Sequence, residues 1–162
     1  RAGCTITLGS AAARGALDTV GAKRLGVVTP YWPVADERVR SYFGECGFEI
    51  VALKGLKANS PVNIAEQSED TLRRALAEVN SPEVDTIIQV GTNLGMARLA
   101  GEAERWLGKP VIAINTATYW YAMRANGMDD VIEGFGSLMT DFKELPASYL
   151  KIASQQASTT AN

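Results

Sequence analysis

The residues of this chain best suited to hold a ligand follow the apolar run Thr86-Ile87-Ile88 and read Gln89-Val90-Gly91-Thr92-Asn93-Leu94-Gly95-Met96. A strand, a glycine turn and a helix start in that order leave the first helical N–H groups without intrahelical acceptors, and such groups attract a phosphate or a carboxylate. By residue type alone the turn also fits a plain strand-to-helix connection, with glycine for backbone freedom and Thr92 or Asn93 as a cap. It lacks the lysine of a P-loop. Gly21-Ala22-Lys23-Arg24-Leu25-Gly26 precedes a strand instead of following one, so it is no dinucleotide fingerprint. The chain has no histidine, which rules out a Ser-His-Asp triad, a Cys-His pair or a histidine metal site from its own residues.

The other chemistry-bearing residues are sparse. Cys4 and Cys46 lack metal-ligand spacing and read as reduced core thiols. Asp36, Glu37, Glu66, Glu69, Asp70, Glu102 and Glu104 fall at helix positions that solvated faces or dipole complementarity explain, and they form no catalytic carboxylate pair. Trp32, Trp106, Trp120, Tyr119 and Tyr121 are expected to pack between helices and sheet, because a nucleic-acid stacking platform would need basic residues among them. Sixteen basic against eighteen acidic residues give a net charge of -2 without a run of one sign, so nucleic acid and an anionic membrane surface are not expected partners. With 162 residues, 46% of them apolar, the chain suits one domain with a buried core. No apolar stretch reaches membrane-spanning length and no basic-then-apolar leader opens it; the expectation is a soluble, cytoplasmic protein.

The elements that must position these residues alternate along the chain. Cys4 to Leu8 is β-rich, and Ala11 to Val20 reads as a helix stopped by Gly21. Lys23 to Val28 is a buried strand that Thr29-Pro30-Tyr31-Trp32-Pro33 cannot continue. Val34 to Cys46 carries Val39, Tyr42, Phe43 and Cys46 at helical spacing, with Asp36, Glu37, Arg38 and Arg40 opposite. A strand over Phe48 to Leu53, a polar connection to Asn63 and a helix over Ile64 to Val79 follow. Val84 to Val90, the helix Ala97 to Leu107 and the strand Val111 to Ile114 complete the alternation, with Asn115 to Thr118 capping a helix that runs to Asn126-Gly127. Phe135 to Leu145 offers a last amphipathic piece.

Strands separated by helices of this length predict an α/β fold with three layers, α/β/α, around a mostly parallel sheet. Ligands of such sheets gather beyond the carboxyl ends of the strands. Here those ends are Thr29-Pro30-Tyr31, the loop leading to Asn63, Gly91-Thr92-Asn93 and Asn115-Thr116-Ala117-Thr118. Hydroxyls and amides dominate them, a surface suited to an anion held by neutral donors.

In combination and order, Leu17 to Arg24, Gly26-Val27-Val28-Thr29-Pro30-Tyr31, Asp85 to Leu94 and Gly108-Lys109-Pro110-Val111-Ile112 resemble the maleate isomerase and arylmalonate decarboxylase branch of the Asp/Glu racemase superfamily. Within that branch the nearest resemblance is to proteins associated with ectoine utilisation. The resemblance implies two similar α/β lobes with the site between them, and cofactor-independent chemistry at the carbon beside a carboxylate: racemisation, decarboxylation or cis-trans isomerisation. It makes residues 1–20 the end of a first-lobe region and a connecting helix, 21–127 the second lobe, 128–150 a C-terminal helical segment and 151–162 a disordered tail.

The implied ligand is a small carboxylate or dicarboxylate, with no cofactor or metal; a homo-oligomer is left open. By this resemblance Tyr31 matches a tyrosine whose hydroxyl contacts a substrate carboxylate, Asn63 a ligand-binding asparagine, and Thr92 and Asn93 positions whose N–H groups receive a carboxylate. Thr116 is a secondary ligand candidate. Gly91 stands where relatives carry their second catalytic cysteine, and a glycine neither donates nor takes a proton. Two readings therefore stay open: a lyase or isomerase whose acid-base group comes from elsewhere, and a lobe that binds a carboxylate without turning it over.

Overall fold

The computed structural model describes residues 5–149, so Cys4 and the tail expected over 151–162 lie outside the described residues. Four parallel strands form the sheet: β1 (Arg24–Thr29), β2 (Glu49–Gly55), β3 (Thr86–Gln89) and β4 (Val111–Ala113). Their spatial order is β2-β1-β3-β4. The chain moves outward from β1 to β2, then returns across β1 to lay down β3 and β4. Between β1 and β3 the winding reverses, and at that switch point the loops leave in opposite directions and open a crevice.

Alternation along the strands sends side chains to two cores. Leu25, Val27, Ile88 and Ile112 meet α1 (Gly9–Thr19), α2 (Pro33–Glu45) and α6 (Ile114–Ala125). Val28, Ile87, Val111 and Ala113 meet α4 (Glu69–Val79) and α5 (Ala97–Leu107). With both faces covered, β1 and β3 are buried almost throughout, which is why their sequences read as unbroken apolar runs. This is the three-layer α/β arrangement expected from the sequence.

Several local expectations change. Residues 5–8 form no strand and are tied to the end of α6. Thr5 exchanges hydrogen bonds with Asn126, its N–H donating to Oδ1 at 3.0 Å and its carbonyl accepting from Nδ2 at 3.1 Å. The helix expected over Ile64 to Val79 is broken into α3 (Pro61–Ala65) and α4, because the Ser68 hydroxyl turns back to cap α4 by accepting the Thr71 N–H. Asn115 to Thr118 lie inside α6, which starts directly from β4. The last amphipathic piece shrinks to α7 (Ser137–Thr140).

Buried Arg124 explains how a segment with so little regular structure is held. Its guanidinium donates to the carbonyls of Phe142 at 3.0 Å, Met128 at 2.8 Å and Asp130 at 3.1 Å. Glu104, expected to be solvated, accepts from Ser137 N–H at 2.7 Å and from Val111 N–H at 3.2 Å. It thus ties the same segment to α5 and β4. Trp120 and Tyr121 are buried as expected, but Trp32, Trp106 and Tyr119 are exposed, so those three do not pack between helices and sheet.

Candidate active site

The switch point brings together two loops distant in sequence. Pro30 and Tyr31 leave β1 and Gly91 leaves β3, two neighbouring strands in which Val28 is paired with Gln89. The Val90 N–H donates to the Val28 carbonyl at 2.9 Å, which extends that pairing to the turn itself. Gly91 has φ +105°, and a Cβ there would stand 2.6 Å from Pro30 Cδ and 3.5 Å from the Tyr31 hydroxyl oxygen. A side chain at 91 is thus both strained and sterically opposed. The Tyr31 hydroxyl occupies the space beside the bare backbone.

Tyr31, Gly91 and Thr92 line one cavity of about 410 Å³. Its other walls come from Gly9, Ser10 and Ala13 of α1, and from Arg38, Tyr42 and Phe43 of α2. The N–H groups of Thr92 and Asn93 donate to no acceptor among the described residues. The helix behind them begins only at Ala97, with Leu94 N–H closing a turn on the Gly91 carbonyl at 3.1 Å, so these donors belong to a turn and not to the first turn of α5.

Its spacing puts Arg38 opposite the apolar stripe of α2, and it is exposed there; the structure also makes it part of the cavity wall, the single charged residue among the lining, with no carboxylate partner among the described residues. Helical spacing showed only that it lay opposite the α2 apolar stripe; which loop that side faces depends on the sheet order. Tyr42 donates its hydroxyl to the Ser10 carbonyl at 2.8 Å, joining α2 to α1. Its pKa is pushed up to about 12, chiefly by burial and secondarily by Cys46 beside it.

The remaining sequence candidates lie outside this cavity's lining. Asn63 lies in α3 and is engaged at that helix's start, accepting the Asn59 N–H on Oδ1 at 3.2 Å and donating its own N–H to the capping Ser60 Oγ at 3.0 Å. Asn93 donates its side-chain amide to the Pro61 carbonyl, which binds the Gly91 turn to α3. Thr116 lines a second, separate cavity of about 310 Å³ with Asn115, Tyr119, Ile132, Phe135 and Met139. Its buried hydroxyl has no hydrogen-bond partner among the described residues. Asn115 bridges the two regions by donating to the Thr92 carbonyl at 2.9 Å.

No group of three or more His, Cys, Asp or Glu side chains among the described residues is placed to hold a metal ion. Cys46, at the C-terminal cap of α2, is a free, half-buried thiol packed against the core and is not part of the cavity lining. No helix among the described residues is long and apolar enough to cross a membrane.

Fold and cavity define a doubly wound α/β domain whose crevice opens at the switch point. The family model for arylmalonate decarboxylase matches residues 2–139, and the chain belongs to that family, in the branch it shares with maleate isomerases. Maleate isomerase of Pseudomonas putida is 25% identical over 126 residues, spanning 77% of this chain and 50% of that protein. The Nocardia farcinica enzyme is 26% identical over 133 residues, 82% of this chain and 53% of its own length. The chain therefore spans about half the length of the curated relatives it matches. Among solved structures, a maleate isomerase from Pseudomonas putida with maleate superposes with a TM-score of 0.78 at 26% identity, covering 82% of this chain and 53% of that one. A liganded arylmalonate decarboxylase variant superposes with a TM-score of 0.77 at 26% identity, covering 84% and 59%.

Proposed function

We propose that this chain is the carboxylate-binding lobe of a cofactor-independent lyase or isomerase that acts at the carbon next to a carboxylate. One observation carries the reading: Tyr31, Gly91 and Thr92 line one cavity with the Arg38 cation on its wall, the Tyr31 hydroxyl beside the bare Gly91 backbone and the Thr92 N–H unpaired among the described residues. When a bond from that carbon to a proton or to carbon dioxide breaks, the electron pair left behind spreads into the remaining carboxylate. Donors already aimed at its oxygens stabilise the developing charge without reorganising. Tyr31 and the Thr92 N–H would supply that stabilisation, with the free Asn93 N–H next to it at the cavity's edge, and Arg38 would draw the anion in. Residues 21–127 would form the lobe and residues 1–20 its connection to a preceding one.

A second reading, binding without turnover, is favoured by Gly91. Its φ and the nearness of Pro30 oppose any side chain there, and a glycine at the position where the resemblance expects the second catalytic cysteine supplies no proton donor. The two readings separate on the sequence upstream. A cysteine in a Gly-Thr/Ser-rich turn of a preceding lobe, with decarboxylation or isomerisation by the complete protein, supports catalysis; its lack together with inactivity leaves binding alone. Calorimetric titration of this chain with malonate tests the shared premise. No heat of binding at millimolar malonate would sink both readings.

A further inference from the structure

Asp36 sits in the first turn of α2, 8% exposed, with no cation in ion-pair range among the described residues. Its carboxylate reaches back to the end of β1, where the Thr29 hydroxyl donates to Oδ1 at 2.5 Å. With Thr29 as donor, its single hydroxyl proton is committed to Asp36. The lone pairs of Thr29 Oγ1 are then left to accept, and the Tyr31 N–H takes one at 3.1 Å. The proton order runs one way: Tyr31 N–H to Thr29, Thr29 O–H to Asp36.

The seat for this carboxylate is kept clear by Gly55 at the end of β2. A Cβ there would lie 2.2 Å from Asp36 Oδ2 and 2.7 Å from the Tyr31 carbonyl oxygen. That carbonyl in turn accepts the Lys57 N–H at 3.1 Å, and the Pro30 carbonyl accepts the Ala58 N–H at 2.9 Å. The Tyr31 peptide is held from both sides. Beyond it, the hydroxyl reaches the space beside Gly91.

We propose that Asp36 and Thr29 are positioning residues for Tyr31: a buried two-bond relay that fixes the Tyr31 peptide and so aims its hydroxyl into the cavity, neither residue touching the ligand. The consequence for ligand binding rests on the function proposed above, whereas the relay itself does not. Asparagine at 36 keeps the shape but can donate to Thr29, which competes with the Tyr31 N–H for the hydroxyl oxygen. Valine at 29 removes that oxygen and leaves the N–H with no acceptor.

Four variants of the full chain test this, each read by amide hydrogen exchange at Tyr31 and by malonate titration. Thr29→Ser keeps exchange protection and affinity at the level of the unaltered chain. Thr29→Val and Asp36→Asn each speed exchange at Tyr31 and weaken malonate binding about tenfold, the effect of one lost hydrogen bond. Ser68→Ala lowers the unfolding temperature from a remote cap and moves neither readout, which separates positioning from general loosening. Should Thr29→Val fail to fold, the isosteric Asp36→Asn decides. Unchanged Tyr31 protection in Asp36→Asn overturns the relay even if malonate binds. Absent malonate binding with the expected exchange pattern overturns the function proposal and leaves the relay standing.

Discussion

Position 91 concentrates the chemical question in one residue. With φ at +105° and Pro30 Cδ within 2.6 Å of a prospective Cβ, Gly91→Ala is expected to cost about 1–3 kcal/mol for the backbone conformation alone, read by urea unfolding. Equal stability of the two proteins would show that the turn relaxes freely. Gly91→Cys meets the same obstacle, so a thiol introduced at the position the resemblance assigns to a catalytic cysteine should not supply acid-base chemistry unless Pro30 also moves. On the function proposed above, Tyr31→Phe removes one donor to the carboxylate. It should then cost about a hundredfold in rate in the complete protein, and an unaltered rate would remove Tyr31 from the mechanism. Arg38→Gln tests the wall charge: malonate affinity of this chain should fall and its salt dependence flatten, while a neutral ester of the same acid should be indifferent.

Elements matter here chiefly through how their ends are tied. Asn93 joins the β3 turn to α3, Asn115 joins α6 to the same turn, and the Trp32 indole N–H donates to the Ala58 carbonyl at 3.1 Å across the β1 and β2 exits. Irregular backbone is thereby held without a strand or helix to stiffen it. Asn115→Ala should leave global stability nearly unchanged yet speed amide exchange around Thr92; protection that stays the same would mean the turn is held by its own geometry. Ser68 shows the cost of a cap directly. Its replacement by alanine should destabilise the chain by about 1 kcal/mol in chemical unfolding.

At the scale of the molecule, helix α1 packs along α6, and the ring of Tyr149 meets Tyr121 edge-on at 6.0 Å. Burial raises the pKa of Tyr42, Tyr121 and Tyr149, and the Asp18 carboxylate accepting the Tyr149 hydroxyl adds to the last. A raised folded-state pKa favours the neutral phenol in the fold, so these contributions are whole below pH about 10 and are lost as pH climbs through each folded value, about 12 for Tyr42. Thermal stability should therefore decline on the alkaline side in step with phenolate absorbance. A flat profile from pH 9 to 12 would show that these rings ionise without cost to the fold. Ile6 and Leu8 stand exposed on the extended segment before α1, at 76% and 74%. Replacing both by serine should leave the unfolding temperature of this chain unchanged; a drop would mean that they pack within it.

What the sequence determined by itself follows from local rules. Apolar runs of four to six residues between amphipathic stretches require buried parallel strands under helices, and Pro30, Pro33 and Gly91 stop the strands where loops must begin. The ordering of those strands was beyond its reach, because period and propensity say nothing about which strand lies beside which. Only the tertiary structure set β3 against β1, and that neighbourhood put Tyr31 beside Gly91 while leaving Asn63 in α3 and Thr116 over another cavity. The same limit hid Asp36 and Arg38. Helical spacing placed both on the polar side of α2, but burial of one against Thr29 and exposure of the other to the cavity depend on what the sheet brings opposite them.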